Sequence, residues 1–302
     1  MTFKKGSVPQ GRRATSGRGG RGGRGGMIAA GGGFGSLLLV GLFLLLGGSP
    51  GQLGELLGGQ EQAQPAIESG EDANEPLAHC QTLEDGNTYA DCRVDFTGIS
   101  VDDVWAELLP QQAGIEYTEP GRVIFQQTTQ SGCGMASAAT GPFYCPTDQT
   151  AYFDVSFFEQ LESLGGSDGP LAQMYIVAHE FGHHVQQLEG TLGLSNYNEP
   201  GAESNAVKIE LQADCYAGIW ASYADKGEDA LLEPITREQV AAAVETARAV
   251  GDDNIQERSS GEVRPDTFTH GTSEQRQEAF LAGYREGTMA TCDYLERGVY
   301  TS

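Results

Sequence analysis

Cationic side chains are scarce in this chain: 18 of its 302 residues are Lys or Arg, against 42 Asp or Glu. Seven of the 18 (Lys4, Lys5, Arg12, Arg13, Arg18, Arg21 and Arg24) fall within residues 1–26, which hold no acid. The remainder has 11 basic and 42 acidic residues, a net of −31. A body so acidic repels phosphate backbones, which argues against nucleic-acid binding through that surface. Charge is missing altogether from residues 27–48, which include the apolar run Leu37-Leu38-Leu39-Val40-Gly41-Leu42-Phe43-Leu44-Leu45-Leu46. No A-x-A-like cleavage site follows that run, only Gly47-Gly48-Ser49-Pro50. An uncleaved membrane anchor therefore fits better than a removed signal peptide. Also lacking is any CxxC pair among the six cysteines, and their even number outside the membrane reads as disulfides over free buried thiols. Sequential pairing, 80–92, 133–145 and 215–292, is the expected connectivity.

What is present divides the chain into four parts. Residues 1–26 read as a disordered, Gly/Arg-rich cytoplasmic tail, placed inside by its positive charge. Its Arg-Gly-Gly triplets resemble an RNA-binding segment, but a position before an apolar run favours a lipid-facing role. Residues 27–48 read as a transmembrane helix and 49–76 as a flexible linker. Residues 77–302 read as one globular domain on the outer side of the cell membrane.

Within that domain Val101 to Leu109 has helical apolar spacing, with Ser100 as a possible N-cap. Residues 122–126 and 150–155 read as strands, with loop between them over 131–146. Helices are expected over 171–188, 207–223, from a Thr236 cap to Gly251, and over 273–284. Few strands followed by helices make an α+β fold.

His179-Glu180-Phe181-Gly182-His183 carries the chemistry. Histidines four apart share one helix face, so both imidazoles reach one Zn²⁺. Glu180, one position on, flanks the metal and suits the proton-accepting role of H-E-x-x-H peptidases. His184 turns away from that face and reads as a packing histidine. A catalytic zinc needs a third protein ligand. Glu210 and Asp214 offer a carboxylate pair at i and i+4. We read Glu210 as the ligand and Asp214 as the group behind His179; the reverse is the competing assignment. His270 is a candidate donor to a developing oxyanion, or else a histidine capping the helix that follows. Arg276 and Tyr152 are weaker candidates for the same task. Gly251-Asp252-Asp253-Asn254 lacks the spacing of a calcium loop and reads as a turn.

HEFGHHVQ, ELQADCYAGIW, GDDNIQ and FTHGTSEQR, with SGCG, GPFYCP and AYFDVSFF before them, resemble the bacterial neutral zinc metallopeptidases of the YpfJ type. The resemblance spans roughly residues 77–290. It implies a zincin-like fold in which a strand such as 150–155 borders the cleft above the active-site helix. The wider Glu-zincin pattern implies Glu210 on zinc and Asp214 behind the first histidine. The function this suggests is a membrane-anchored zinc endopeptidase acting on protein or peptide substrates. The alternative is a zincin-fold envelope protein that binds a partner without cleaving it.

Overall fold

Pro170 opens and Gly190 closes the central helix of the protein. A computed structural model describes residues 2–9, 14–16, 77–137 and 140–300. In it Pro170–Glu189 is helical, with proline in the first turn, where its missing N–H costs nothing. Gly190 sits at φ 72° and donates to the carbonyls of Gln186 and Gln187. Most of this helix is buried, including every residue from Leu171 to Gln186, so its neighbours cover it on all sides.

The longer helices are α1 (Ala90–Ala113), α2 (Pro170–Glu189), α3 (Asn205–Tyr223), α4 (Arg237–Ala249), α5 (Asp252–Ser260) and α6 (Ser273–Glu286). Ser204, Thr236 and Thr272 cap α3, α4 and α6 by accepting from backbone N–H groups in the first turn. Two corrections to the sequence reading fall here. The first helix begins at Ala90, so Ser100 lies mid-helix, where its hydroxyl accepts from Trp220 Nε1 at 3.2 Å. Gly251-Asp252-Asp253-Asn254, read as a turn, is instead the start of α5, with Gly251 as its N-cap.

A four-stranded sheet packs against α2. Its order is β1 (Thr15–Ser16), β2 (Gly121–Phe125), β6 (Thr150–Asp154), β5 (Phe143–Cys145). The first three run parallel, and β5 is antiparallel to β6. β6 is therefore interior, and β1 and β5 are the edge strands. The expected loop 131–146 instead holds β5 and part of a hairpin of β3 (Thr128–Ser131) and β4 (Gly134–Ser137). The disulfides are Cys80–Cys92, Cys133–Cys145 and Cys215–Cys292, the sequential pairing.

Close backbone approach between helices depends on glycine. A Cβ on Gly182 would lie 3.0 Å from Ala213 Cα and O, so α2 and α3 nearly touch where the three metal-ligand candidates sit. Gly218 of α3 and Gly283 of α6 meet in the same way, each against the other helix's backbone. The mixed α+β character matches the reading.

The N-terminal segment does not behave as a disordered tail where it is described. Asn87 Oδ1 accepts from the backbone N–H of Thr2 and Phe3 at 2.7 and 2.9 Å. Phe3, 1% exposed, packs edge-on against Phe96. Lys4 N–H donates to Leu231, Ala14 N–H donates to Asp95, and β1 pairs with β2. The expected span 27–48 and linker 49–76 lie outside the described residues. Among the described residues no helix is long and apolar enough to cross a membrane. A single crossing at 27–48 would put some 30 Å of hydrocarbon between segments that are in hydrogen-bond contact. The Arg-Gly-Gly triplets of residues 18–26 also lie outside the described residues.

Candidate active site

α2 and α3 cross so that His179, His183 and Glu210 converge. Glu210 Oε2 lies 3.3 Å from His179 Nε2 and 3.6 Å from His183 Nε2. All three residues are buried, and one atom from each falls within 4.8 Å of the others. Both Nδ1 atoms point outward to acceptors: His179 donates to Asp214 Oδ1 at 2.8 Å, and His183 to Gln186 Oε1 at 2.8 Å. With the proton on Nδ1, each Nε2 lone pair faces the gap. Tyr197 occupies the other oxygen of Glu210, donating to Oε1 at 3.2 Å. Oε2 itself is buried without a hydrogen-bond partner. An orphaned carboxylate oxygen facing two imidazole lone pairs fits a divalent metal, because such an atom would otherwise carry a desolvation cost of roughly 1–3 kcal/mol. This donor set of two nitrogens and one carboxylate is that of catalytic zinc sites.

Asp214 sits behind His179 at the centre of a charged cluster. It accepts from Tyr175 Oη at 2.5 Å, His179 Nδ1 at 2.8 Å, and Arg276 Nε and Nη2 at 2.7 and 2.9 Å. Burial alone would raise its carboxyl, but Arg276 and then His179 overcome that and hold it down to about 2. Glu180, 2% exposed, is shifted the other way. Burial raises its carboxyl, against the pull of His179 and His183, which suits a group that must both take and return a proton.

His270 lies in the turn before α6, and Asp252 fixes it. The Asp252 Oδ2 oxygen accepts from the N–H groups of Thr269, His270 and Gly271, while Oδ1 meets His270 Nδ1 at 3.1 Å. Burial disfavours the imidazolium, but Asp252 and Glu210 together raise it. The charge of Glu210 is thus felt at the His270 ring.

The other sequence candidates divide. Arg276 reaches the site only through Asp214, Tyr175 and the Val250 carbonyl. Tyr152 is not brought to the site at all, since its hydroxyl donates to Asp148 at 2.7 Å. His184 is the packing histidine expected, donating from Nε2 to Thr118 O and accepting at Nδ1 from Tyr144. Burial lowers it to about 4. Tyr175, Gln186, Tyr197 and Asp252 were not anticipated. Tyr175 stands four residues before His179 and Gln186 three after His183, so helical offsets could have found them. Tyr197 and Asp252 carry no such local signal.

The family described as "Putative neutral zinc metallopeptidase" matches residues 3–295. The chain belongs to this family. It is 48% identical over 223 residues to the uncharacterized protein Rv2575 of Mycobacterium tuberculosis, covering 72% of this chain and 74% of that one. To the uncharacterized protein YpfJ of Escherichia coli K12 it is 36% identical over 233 residues, 74% of this chain and 79% of that one. No solved structure matches it. Family membership thus extends to the N-terminal segment that packs on the domain.

Proposed function

We propose that this chain is a zinc-dependent endopeptidase, with His179, His183 and Glu210 as the metal ligands and Glu180 as the catalytic base. The observation that carries the reading is the buried, unpartnered Glu210 Oε2 facing two imidazole Nε2 atoms, with Glu180 beside them. Zinc held there supplies Lewis acidity, which acidifies a water and polarises the scissile carbonyl.

The protein's own groups do the rest. Glu180 takes a proton from the attacking water as its oxygen bonds to the carbonyl carbon. It then returns that proton to the amide nitrogen as the C–N bond breaks, leaving a carboxylic acid and an amine; transfer of the acid's proton to the amine gives the carboxylate and ammonium products. Asp214 keeps the proton of His179 on Nδ1 and holds the ring in place, and Gln186 does the same for His183. His270, oriented by Asp252, offers a donor to the carbonyl oxygen as negative charge develops on it. Three disulfides support a domain that works outside the reducing cytoplasm.

The test is to purify the full chain, measure its zinc content, and assay cleavage of casein and a mixed peptide library beside Glu180→Gln. The variant should keep stoichiometric zinc and lose about 10²–10⁴-fold in rate. A wild-type protein that holds zinc yet cuts nothing sinks the peptidase reading in favour of a partner-binding one.

A further inference from the structure

His183 donates from Nδ1 to Gln186 Oε1 at 2.8 Å, and that bond is only as definite as the orientation of the Gln186 amide. A glutamine amide carries an oxygen at one end and an NH2 group at the other, in nearly the same outline. Reversed, Gln186 would present N–H groups to His183 Nδ1. The ring would then keep its proton on Nε2, the atom that a metal needs free. The tautomer of the second histidine therefore depends on what holds the far end of Gln186.

A series of buried groups holds it. Gln186 and Gln212 have no measurable exposure. Gln186 Nε2 donates to the Ile209 carbonyl at 2.7 Å and to Gln212 Oε1 at 3.0 Å. Gln212 Nε2 donates in turn to the Cys292 carbonyl at 3.1 Å and to Tyr300 Oη at 3.3 Å. Backbone carbonyls only accept, so Ile209 orients one amide and Cys292 the other. Reversing Gln186 alone would set its oxygen against two other oxygens. Reversing both glutamines would still leave each amide oxygen facing a backbone carbonyl, with no water to relieve it. Tyr216 Oη gives its proton to Glu189 Oε2 at 2.9 Å. Across the 3.2 Å contact of the two hydroxyls Tyr300 is therefore the donor, which turns its lone pairs toward Gln212.

Resting on the zinc-site reading above, we propose that Gln212 is a positioning residue for His183: through Gln186 it holds the metal-binding tautomer, and residues 292–300, which orient Gln212, are thereby coupled to zinc affinity. Those residues lie 80 and 88 positions beyond Gln212 at Cys292 and Tyr300, and the Cys215–Cys292 disulfide ties them to α3. His179 is an internal control. Its tautomer is set by Asp214, whose other donors, Tyr175 and Arg276, stand outside this series.

The experiment uses the full chain and three readouts: imidazole nitrogen-15 NMR of the zinc-free protein, zinc affinity by competition with a chromophoric chelator, and the urea midpoint. In the wild type both His179 and His183 should carry the proton on Nδ1. Gln212→Met keeps the volume but removes the acceptor that faces Gln186. It should move the His183 signals toward the Nε2–H form, leave His179 unmoved, and weaken zinc about 10-fold. Gln212→Glu keeps that acceptor while setting a carboxyl group against the Cys292 carbonyl. It should lower the urea midpoint at least as much as Gln212→Met, yet hold the His183 tautomer and zinc affinity within about threefold of wild type. Tyr300→Phe should shift His183 and zinc in the same direction as Gln212→Met, by less. A merely structural role ranks the variants by stability; the positioning role ranks them by the acceptor they keep. Gln212→Met with an unmoved His183 tautomer, or Gln212→Glu losing as much zinc affinity as Gln212→Met, overturns the proposal. Tyr300→Phe with no effect overturns the coupling to residues 292–300. A wild type that takes up no zinc would remove the zinc reading, and the nitrogen signals would still decide the role of Gln212. Zinc uptake without cleavage would remove only the peptidase reading.

Discussion

Asp214→Asn is the substitution whose consequences the structure fixes most tightly. The carboxylate takes four donors, from Tyr175, His179 and two nitrogens of Arg276, in a setting with no measurable exposure. An asparagine has one acceptor oxygen, and its amide N–H groups would face either the guanidinium or the His179 N–H. Two magnitudes bound the loss. The depressed carboxyl, about 2 against an ordinary 3.8, stabilises the fold above pH 3.8. That contribution, on the order of 2 kcal/mol, disappears as pH falls through about 2. Substitution costs more than protonation counts, because it permanently leaves Arg276, 2% exposed, as a buried cation lacking its counter-charge. Breaking such a pair costs about 3–5 kcal/mol. Zinc affinity should also fall about 10–100-fold, since His179 loses the group that fixes its tautomer. Urea unfolding at pH 7 in chelator isolates the first effect, and competition with a chromophoric chelator measures the second. Arg276→Met alone should destabilise as well, while the double variant should lose less than the sum by at least about 1 kcal/mol. Asp214→Asn unfolding within about 1 kcal/mol of wild type, with zinc affinity within about threefold, would refute the cluster as the anchor of the site.

Three further outcomes follow from other parts of the molecule. His270→Ala should lower kcat by about 10²–10³-fold with KM and zinc content nearly unchanged, and Asp252→Asn should reproduce part of that loss. A change confined to KM would argue for substrate binding instead. Gly283→Ala drives a methyl group into the backbone of α3 at Cys215, so thermal unfolding should report about 1–3 kcal/mol of destabilisation despite the better helix propensity of alanine. A gain in stability would mean the two helices are not in contact there. Burial raises Glu189 from 4.5 to about 6, so the folded state binds the extra proton, and its stabilising contribution is complete below pH 4.5. It is lost as pH rises through 6, by about 2 kcal/mol. Glu189→Gln should therefore gain stability relative to wild type between pH 5 and 7, read from denaturant midpoints; a pH-independent difference would contradict this.

The parts of the site that could be read from the sequence are those set by helical offsets. His179 and His183, and Glu210 and Asp214, are each four apart, and a helix of known pitch fixes which face each pair shares. The pairing of those two faces needed Gly182 and Ala213 to let the backbones approach. Arg276 lies 62 residues from Asp214, and nothing in local spacing joins them. Tyr152 was misplaced for a related reason. Alternation puts its ring on one face of β6, but which face meets α2 depends on β5 pairing beside it, a strand hidden in what read as loop. Tyr197 and Asp252 come from segments whose sequence marks them only as turns, and turns acquire partners from tertiary packing alone.

The N-terminal segment shows that limit most sharply. Composition assigns residues 1–26 to disorder because they can bury little apolar area, and of these residues 2–9 and 14–16 are described. Yet very little burial was needed. Phe3 enters a socket made by Phe96 and Leu232, Val8 and Ala14 are covered, and the polar backbone is satisfied by Asn87, Asp95, Leu231 and β2. Each of these partners lies about 80 or more residues away in sequence, so neither periodicity nor charge could have revealed them. Gly6 O also accepts from Leu83 N–H, between Cys80 and Cys92, so the segment is bonded to the loop that the first disulfide closes. A disulfide that forms in an oxidising compartment places everything hydrogen-bonded around it in the same compartment. Residues 2–9 and 14–16 therefore share the domain's side of any membrane. The positive charges among them are a feature of that folded surface, whichever leaflet or partner the chain meets.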